Sequence, residues 1–221
     1  MATPRSLPAD ATSPPPRTLE AEVESRLVEG ARFTVEFHMG ESNVHRALDK
    51  LVERLSALDI PYAIVGALAL NAYGYLRATV DVAVLLTEAG LARFKEACLG
   101  RGFVEKVPGG RGLRDPENRV DIDVVIAGEY PGDGREKPVS FPDPSEGALA
   151  GERFALLPLD KLIELKLASG MTAPHRLRDL ADVIELVRVN RLERDLADRL
   201  DPFVRGKYLE LWAAAQGGDA G

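Results

Sequence analysis

The stretch IPYAIVGALALNAYGYLRATVDVAVLL, residues 60–86, contains the strongest structural pattern of the chain. Residues 62–66 are apolar, end in a glycine and are too few for a helix, so they predict a buried strand. Residues 67–73 predict a helix that begins directly after this strand and ends at Gly74. Residues 79–86 carry valine at every second position and predict another strand. A strand, a helix and a further strand in close succession predict an α/β fold.

The elements predicted outward from this stretch continue the mixed pattern. Short apolar runs between turn formers predict further strands at residues 102–107, 120–127 and 153–157. Apolar residues at helical spacing predict further helices at residues 41–58, 88–100, 159–169, 175–190 and 191–216. Segments rich in turn formers predict loops at residues 108–118 and 128–147.

We therefore expect an α/β (α+β) fold in which a mixed sheet is flanked by helices and followed by a C-terminal helical lobe. Hydrophobic residues make up 45% of the chain, which is enough for a proper core. The expected organisation is a disordered proline-rich arm, a mixed core, a helical lobe and a frayed tail, at residues 1–17, 18–157, 158–216 and 217–221.

Charge and cysteine content narrow the range of functions. The net charge of −7 argues against a protein that coats nucleic acid through bulk electrostatics. Cys98 is the only cysteine, which excludes an intrachain disulfide framework and a cysteine-based zinc cluster. The sequence has no run of about 18 apolar residues and no apolar signal core at its start, so no membrane association and a cytoplasmic location are expected.

Two predicted strands carry acidic residues on a single face. Because side chains alternate along a strand, Asp81 lies on one face of residues 79–86 while valines occupy the other. In residues 120–127, Asp121 and Asp123 share one face in the same way. An ionised carboxylate in an apolar strand is unfavourable without a partner, and carboxylates that converge repel each other. A hard divalent cation, Mg²⁺ or Mn²⁺, is the natural partner of such a group.

Residues before Asp81 favour a ligand site over a structural arrangement. Gly66 lies between a predicted strand and a predicted helix. The free N–H groups at the start of a helix attract an anion, and a residue without a side chain allows that anion to approach the backbone closely. Arg77 lies between Gly66 and Asp81, where it is suited to contact a phosphate or to pair with Asp81. The structural alternatives stay open: each carboxylate lies near a strand end in solvent, or pairs with Arg77 or Arg119.

Residues 60–86 resemble the opening motif of the nucleotidyltransferase superfamily, in its AbiEii-like and minimal nucleotidyltransferase branch. In that motif a strand ends in Gly-Gly or Gly-Ser, a helix follows, and the next strand carries Arg-x-Thr-x-Asp-x-Asp. RVDIDVV at 119–125 is similar to the strand with the third carboxylate. LLPLDKLIELKLASG at 156–170 and RLRDLADVIEL at 176–186 are similar to the family's helical segment. The resemblance implies a nucleotidyltransferase-type mixed sheet.

The resemblance also implies a metal-dependent reaction with a nucleoside triphosphate (NTP) as the substrate and Mg²⁺ or Mn²⁺ as the cofactor. In the family, two divalent metals bridge the carboxylates and the triphosphate, an acceptor hydroxyl attacks the α-phosphate, and pyrophosphate leaves. The matching positions assign phosphate contact to Gly66 and Ala67 and metal binding to Asp81. They assign the third carboxylate, with a role as general base, to Asp123, and Asp121 is the competing choice.

One position departs from the family pattern at a metal ligand. Ala83 stands where the second Asp of Asp-x-Asp belongs, which removes a bridging ligand from a two-metal site. Three explanations compete: a naturally inactive member, an introduced inactivating substitution, or replacement of the missing ligand by Asp121 and Asp123 together. We expect an impaired transferase, and the alternative is an inactive protein that binds a nucleotide or a partner.

The acceptor and the biological role follow only from the resemblance. It implies a hydroxyl on a protein, a tRNA or a small molecule, and a toxin with an antitoxin partner or a phage-defence component. An antibiotic nucleotidyltransferase is a further alternative with the same fold. A local basic groove for a nucleic-acid acceptor has its candidates in the loops, at Arg111, Arg114, Arg119 and Lys137.

Charged residues in the predicted lobe have two interpretations each. Lys166 lies on the apolar stripe of residues 159–169, where it either reaches a nucleotide phosphate or snorkels past the core edge. Asp179 is a candidate to orient Lys166 or Arg77. The following helix carries a set of charges that either belongs to the family's charged helix or forms a surface salt-bridge ladder, at Arg176, Arg178, Asp179 and Asp182.

Overall fold

The computed structural model describes residues 42–151 and 153–217. The predicted arm at 1–17 and most of the predicted tail at 217–221 lie outside these residues. No helix in the described ranges is both long enough and apolar enough to cross a membrane.

A seven-stranded mixed sheet forms the centre of the fold, in the order β3-β4-β5-β2-β1-β7-β6. The strands are β1 Ala63–Val65, β2 Asp81–Leu86, β3 Val104–Glu105, β4 Leu113–Asp115, β5 Val120–Ile126, β6 Leu149–Ala150 and β7 Ala155–Leu156. The pairs β2–β5 and β1–β7 are parallel, whereas the remaining neighbours are antiparallel. The predicted mixed sheet is therefore confirmed.

Helices cover both faces of the sheet. The α-helices are α1 Asn43–Ala57, α2 Gly66–Ala72, α3 Glu88–Cys98, α4 Pro144–Gly147, α5 Leu159–Thr172, α6 Leu177–Val189 and α7 Pro202–Gln216. Two 3₁₀ segments lie at Pro174–Arg176 and Arg194–Arg199. The helices α1 and α3 share one apolar cluster with one face of the sheet, and α5, α6 and α7 share a second cluster with the other face.

Alternation along β2 divides its side chains between these two clusters. Val82 and Val84 are fully buried with α1 and α3. Ala83 and Leu85 belong to the cluster on the opposite face, beneath the C-terminal helices. Because the period of a strand is two residues, Asp81 shares the face of Ala83. The acidic face of the sheet is therefore the one that α5, α6 and α7 cover; these three helices are called the lobe from here on.

Several predicted segments differ from the structure: the short helix α4 lies inside the predicted loop 128–147, β6 was not predicted, and the predicted strand 102–107 is reduced to the two residues of β3. The strand β4 lies inside the predicted loop 108–118, where it pairs with β5 although it is only three residues long. The predicted helix 191–216 is broken at Pro202, which begins a new helix. A proline disfavours the helical conformation of the residue that precedes it, so the chain cannot continue as one helix through Asp201. Asp201 caps this new helix by accepting a hydrogen bond from the backbone N–H of Phe203, 2.8 Å away.

A buried carboxylate ties α1 to the edge of the sheet. The side chain of Asp115 is 0% exposed and accepts hydrogen bonds from Lys50 Nζ at 2.8 Å and from Asn118 Nδ2 at 2.6 Å. Burial opposes the ionisation of Asp115, but the hydrogen bonds from Asn118 and Lys50 outweigh it and lower the pKa of this carboxyl. Lys50 also pairs with Glu117, whose side chain is 75% exposed.

We expect Asp115→Asn to lower the free energy of unfolding at neutral pH by about 3 kcal/mol, because it leaves the Lys50 charge without its buried partner. Urea denaturation followed by circular dichroism measures this change. Since the folded-state pKa of Asp115 is lowered, its contribution is complete above about pH 4 and is lost as the pH falls further. The wild-type and Asp115→Asn curves should therefore converge in acid.

Glu117→Gln is the matched control, because it removes the exposed partner of the same lysine. We expect it to cost less than about 1 kcal/mol. Equal losses for the two variants would contradict the assignment of Asp115 as the buried anchor.

Candidate functional site

The register of β2 against β5 brings the predicted acids together. Asp81 lies beside Asp121, and Ala83 lies beside Asp123. Residues at the same level of neighbouring strands point to the same face of a sheet, so all of these side chains share the face beneath the lobe. Adjacent strands are about 4.8 Å apart and diagonal neighbours roughly 7–8 Å apart, which keeps Asp81 and Asp123 within reach of one bound group.

A cavity of about 710 Å³ lies against this face, between the sheet, the lobe and the loop that follows β5. The two carboxylates of Asp81 and Asp123 line it, and Asp121 does not. Four basic side chains also line it: Arg77, Arg111, Lys166 and Arg176. The volume is within the range of pockets that enclose small ligands, about 300–1,000 Å³.

Gly66 forms a tight turn on the floor of the cavity. Its φ of +68° lies in the left-handed region, and a Cβ placed on it would lie 3.1 Å from the Cβ of Ala83. A side chain at this position would therefore be strained by the backbone and crowded by β2. Ala67 lines the cavity next to it, but α2 has only seven residues, so the expected attraction of its N-terminus for an anion is weak.

Asp81 has a hydroxyl partner and no cationic one in the described ranges. The Oγ1 of Thr79 donates a hydrogen bond to Asp81 Oδ1. Arg77, which the sequence offered as a partner of Asp81, instead pairs with Asp182 at 2.8 Å. The Asp81 carboxylate therefore faces the cavity with its charge unpaired.

The two acids of β5 are engaged to different extents. Lys106, just after β3, places Nζ 3.1 Å from Asp121 Oδ2 and 3.3 Å from Asp123 Oδ1. Arg114 pairs with Asp121 at 2.8 Å. Hydrogen bonding to Asp121 and the charge of Asp123 raise the pKa of Lys106. Asp121 is thus doubly paired outside the cavity, whereas Asp123 has one long contact and lines the cavity.

This donor set does not fit a two-metal centre. Ala83 contributes no ligand, and the part of the chain that the structure describes has no group of three or more His, Cys, Asp or Glu side chains able to hold a metal ion. Asp81 and Asp123 do fit a single hard cation that arrives with a ligand, because Mg²⁺ often binds through one or two carboxylates and the phosphates of a substrate.

Buried ion pairs join the lobe to the sheet on the opposite wall. Lys166 Nζ donates to Asp179 Oδ1 at 2.9 Å and to Asp182 Oδ2 at 2.7 Å. Asp182, which is 1% exposed, also pairs with Arg77. The Oγ of Ser169 donates to Asp179 at 2.6 Å. Lys166 therefore does not snorkel to solvent, and Asp182 belongs to no surface ladder, because both are held in a buried network of alternating charge.

The charged groups of this network balance one another. Burial disfavours the charged form of Asp179, but the charge of Lys166 and hydrogen bonds from Ser169 and Lys166 lower its pKa below the usual value. Two cations, Lys166 and Arg77, face two anions, Asp179 and Asp182, so their formal charges cancel. Arg77 nevertheless retains an unused donor, because its Nε is buried without a hydrogen-bond partner among the described residues.

The loop cations predicted to form a basic groove are mostly neutralised. Arg111 pairs with Glu129, Arg114 pairs with Asp121, and Lys137 pairs with Asp133. A nucleic-acid acceptor therefore gains little net attraction from them.

Sequence reasoning missed Lys106 and Tyr130. Lys106 follows the two-residue edge strand β3, and no local sequence motif indicates that it contacts Asp123. Tyr130 lines the cavity from the loop at residues 128–147, for which the sequence pattern indicated turn formers but no functional residue.

No family model matches this sequence, and no curated protein matches it. Several solved structures are similar to the fold. A Helicobacter pylori protein assigned as a nucleotidyltransferase shares 18% identity over 79% of this chain and 92% of its own, with a TM-score of 0.45. JHP933 from Helicobacter pylori shares 18% identity over 79% of this chain and 89% of its own, with a TM-score of 0.44.

ANT(2″)-Ia, solved in complex with adenylyl-2″-tobramycin, shares 14% identity over 77% of this chain and 97% of its own, with a TM-score of 0.43. At such distances a common arrangement of strands and helices does not identify an activity, which depends on the residues of the site.

Proposed function

We propose that this chain is a nucleotidyltransferase-type protein that binds an NTP with one divalent cation in the cavity between sheet and lobe. In this proposal, Asp81 and Asp123 hold Mg²⁺ or Mn²⁺, and transfer of the nucleoside monophosphate to an acceptor hydroxyl is impaired because Ala83 supplies no ligand. The observation that carries the proposal is the pairing of β2 with β5, which sets Asp81 and Asp123 on one face of the sheet beside the Gly66 turn.

Each wall of the cavity has a function in this scheme. Gly66 gives the phosphates room to approach the backbone, since no side chain fits there. Arg77 also lines the cavity, where its guanidinium is the kind of group that matches the geometry of phosphate oxygens. Lys166 is held by Asp179 and Asp182, which fix its ammonium at the wall of the cavity.

The transfer step would use Asp123 as the proton acceptor. The acceptor hydroxyl gives its proton to the Asp123 carboxylate, its oxygen bonds to the α-phosphorus, and the bond from that phosphorus to the β-phosphate oxygen breaks to release pyrophosphate. A cation bound with the triphosphate would neutralise the negative charge that builds up.

Among the three explanations for Ala83, compensation by Asp121 has the least support. Asp121 already pairs with Arg114 and Lys106 and does not line the cavity. An inactive chain, whether by nature or by introduced substitution, fits the site better. The second candidate function is accordingly a nucleotide-binding protein without transfer activity, and Ala83 is the observation that favours it.

The acceptor in this proposal is a hydroxyl on a small molecule or a protein in preference to a tRNA, because three of the four predicted groove cations are paired with carboxylates. A toxin or phage-defence role and an antibiotic acceptor are narrower forms of the same proposal. Both are tested by identifying which component of a cell extract, or which aminoglycoside, becomes labelled.

Ala83→Asp should restore transfer, because position 83 lines the cavity beside Asp123 and the new carboxylate completes the ligand pattern. We expect the rate of label transfer from α-³²P-labelled NTPs to an extract, with Mg²⁺ or Mn²⁺, to rise by about 100-fold or more. Ala83→Asn is the matched control, since it has a similar shape without the charge, and it should stay at the wild-type level.

Three results are informative for this experiment. Labelling only by Ala83→Asp supports an impaired transferase. Binding of Mn²⁺–NTP by the wild type without labelling by either variant supports the nucleotide-binding protein. Absence of both binding and labelling in all variants contradicts the proposed function.

The two acids of β5 should differ in their effect on metal–nucleotide binding. We expect Asp123→Asn to weaken binding of Mn²⁺–ATP, measured by isothermal titration calorimetry, by about tenfold or more, because Asp123 lines the cavity. Asp121→Asn, which removes the acid that pairs outside the cavity, should change the Kd less than about threefold. The opposite order of effects would assign the third carboxylate to Asp121.

A further inference from the structure

The loop between β5 and α4 is closed by hydrogen bonds at its base. The N–H of Gly128 donates to the carbonyl of Phe141 at 2.8 Å, and the N–H of Phe141 donates to the carbonyl of Glu129 at 2.9 Å. These reciprocal bonds bring the two ends of the loop together, as in a compact Ω-loop. The loop is therefore held in one place beside the cavity that it lines.

Gly132 fixes the loop against the end of α5. Its φ is +79°, and a Cβ at this position would lie 2.4 Å from Thr172 Oγ1 and 2.8 Å from the carbonyl oxygen of Ser169. Only glycine allows so close an approach of loop backbone to helix. The same helix carries Lys166 and Ser169, so the loop is positioned relative to the buried ion pairs.

A buried lysine holds the aromatic ring of this loop. The side chain of Lys137 is 5% exposed, and its Nζ donates to the carbonyl of Pro131 and to Asp133 Oδ1, both at 2.7 Å. The same ammonium lies 5.7 Å from the centre of the Tyr130 ring, within cation–π range. Lys137 was predicted to contact a nucleic acid, but its ammonium group instead contacts the backbone of this loop and the ring of Tyr130.

The loop also contributes Tyr130 to the lining of the cavity that contains the acids. Tyr130 is half-buried and lines the same cavity as Asp81 and Asp123. Tyr130 is the only aromatic residue besides Phe141 among the side chains that line this cavity in the described part of the chain. Phe141 packs into the apolar cluster beneath the lobe, which leaves Tyr130 as the ring suited to a planar ligand.

We propose that Tyr130 is the platform on which the nucleobase of the bound nucleotide stacks, with Lys137 fixing the orientation of the ring from the other side. This inference rests on the proposed function, because it needs the phosphates to lie at Asp81, Asp123 and Gly66. Stacking on an aromatic ring recognises the flat face common to all bases, so the site accepts purine and pyrimidine nucleotides without strict selection. Purines should bind more tightly because they offer a larger face.

The test compares a ligand that has a base with one that lacks it. The full chain is titrated by calorimetry with Mg²⁺–ATP and with Mg²⁺–tripolyphosphate, as wild type, Tyr130→Phe, Tyr130→Leu and Tyr130→Ala. We expect Tyr130→Ala and Tyr130→Leu to weaken ATP by about tenfold or more while tripolyphosphate is unchanged. Tyr130→Phe, which keeps the ring, should bind both ligands as the wild type does.

Lys137→Met tests the contact between this lysine and the ring of Tyr130. It should weaken ATP less than Tyr130→Ala does and leave tripolyphosphate unchanged, because the ring remains but is free to turn. Melting temperatures of all variants, compared with the wild type, separate a lost contact from a disordered loop. Tyr130→Leu keeps apolar bulk in the loop if the alanine variant unfolds.

The outcomes separate the two proposals. If the wild type binds both ligands and no Tyr130 variant discriminates between them, the stacking proposal is wrong and the triphosphate site stands. If the Tyr130 variants weaken both ligands equally, Tyr130 supports the loop and not the base, which also overturns the inference. If the wild type binds neither ligand, the proposed function fails and the stacking site fails with it.

Discussion

The parallel pairing of β2 with β5 is the constraint on which the site depends. Its register is held by apolar side chains on the other face, where Val82, Val84 and Ile122 are fully buried against α1 and α3. A slip of one residue would turn these side chains toward the lobe and bury the acids in the apolar layer. The burial of these apolar side chains thus keeps Asp81 and Asp123 on one face of the sheet, as diagonal neighbours at the cavity.

The lobe is joined to this sheet by charge as well as by apolar packing. Asp182 accepts from both Lys166 and Arg77, so one buried carboxylate connects α5, α6 and the segment that leads into β2. A buried pair of this kind is weak as a source of stability but strict about geometry, because removal of any member leaves a charge without a partner. The formal charges of Lys166, Arg77, Asp179 and Asp182 cancel, so this network by itself adds little net attraction for an anion.

Much of this arrangement could be predicted from the sequence because it depends on local patterns. The alternation of valine with Asp81 and Ala83 identified β2 and its faces, and the spacing of Asp121 and Asp123 identified their shared face on β5. The glycine that follows β1 was identified from its position, and its positive φ together with the nearby Cβ of Ala83 explains why glycine is favoured there. These features belong to single strands and turns, so they can be predicted from the order of residues within one short segment.

Contacts between distant segments could not be predicted in the same way. Lys106 reaches Asp121 and Asp123 only because β3 and β4 extend the sheet beyond β5, and β4 is a three-residue strand set among turn formers. Lys137 was interpreted as a surface cation because nothing near it in the sequence announces the carbonyl of Pro131 or the ring of Tyr130. The charged residues of α6 were also compatible with a surface salt-bridge ladder, and only the tertiary structure shows that Asp182 is buried.

The close approach of Gly66 to Ala83 limits where a larger side chain at position 83 can go. A Cβ on Gly66 would lie 3.1 Å from the Cβ of Ala83, so bulk added at position 83 can extend only into the open cavity. The cavity lies open beside this position, so the fold leaves space for an aspartate as well as for alanine. Alanine at position 83 therefore leaves the scaffold of the site intact, and a carboxylate placed there needs no compensating change in the core.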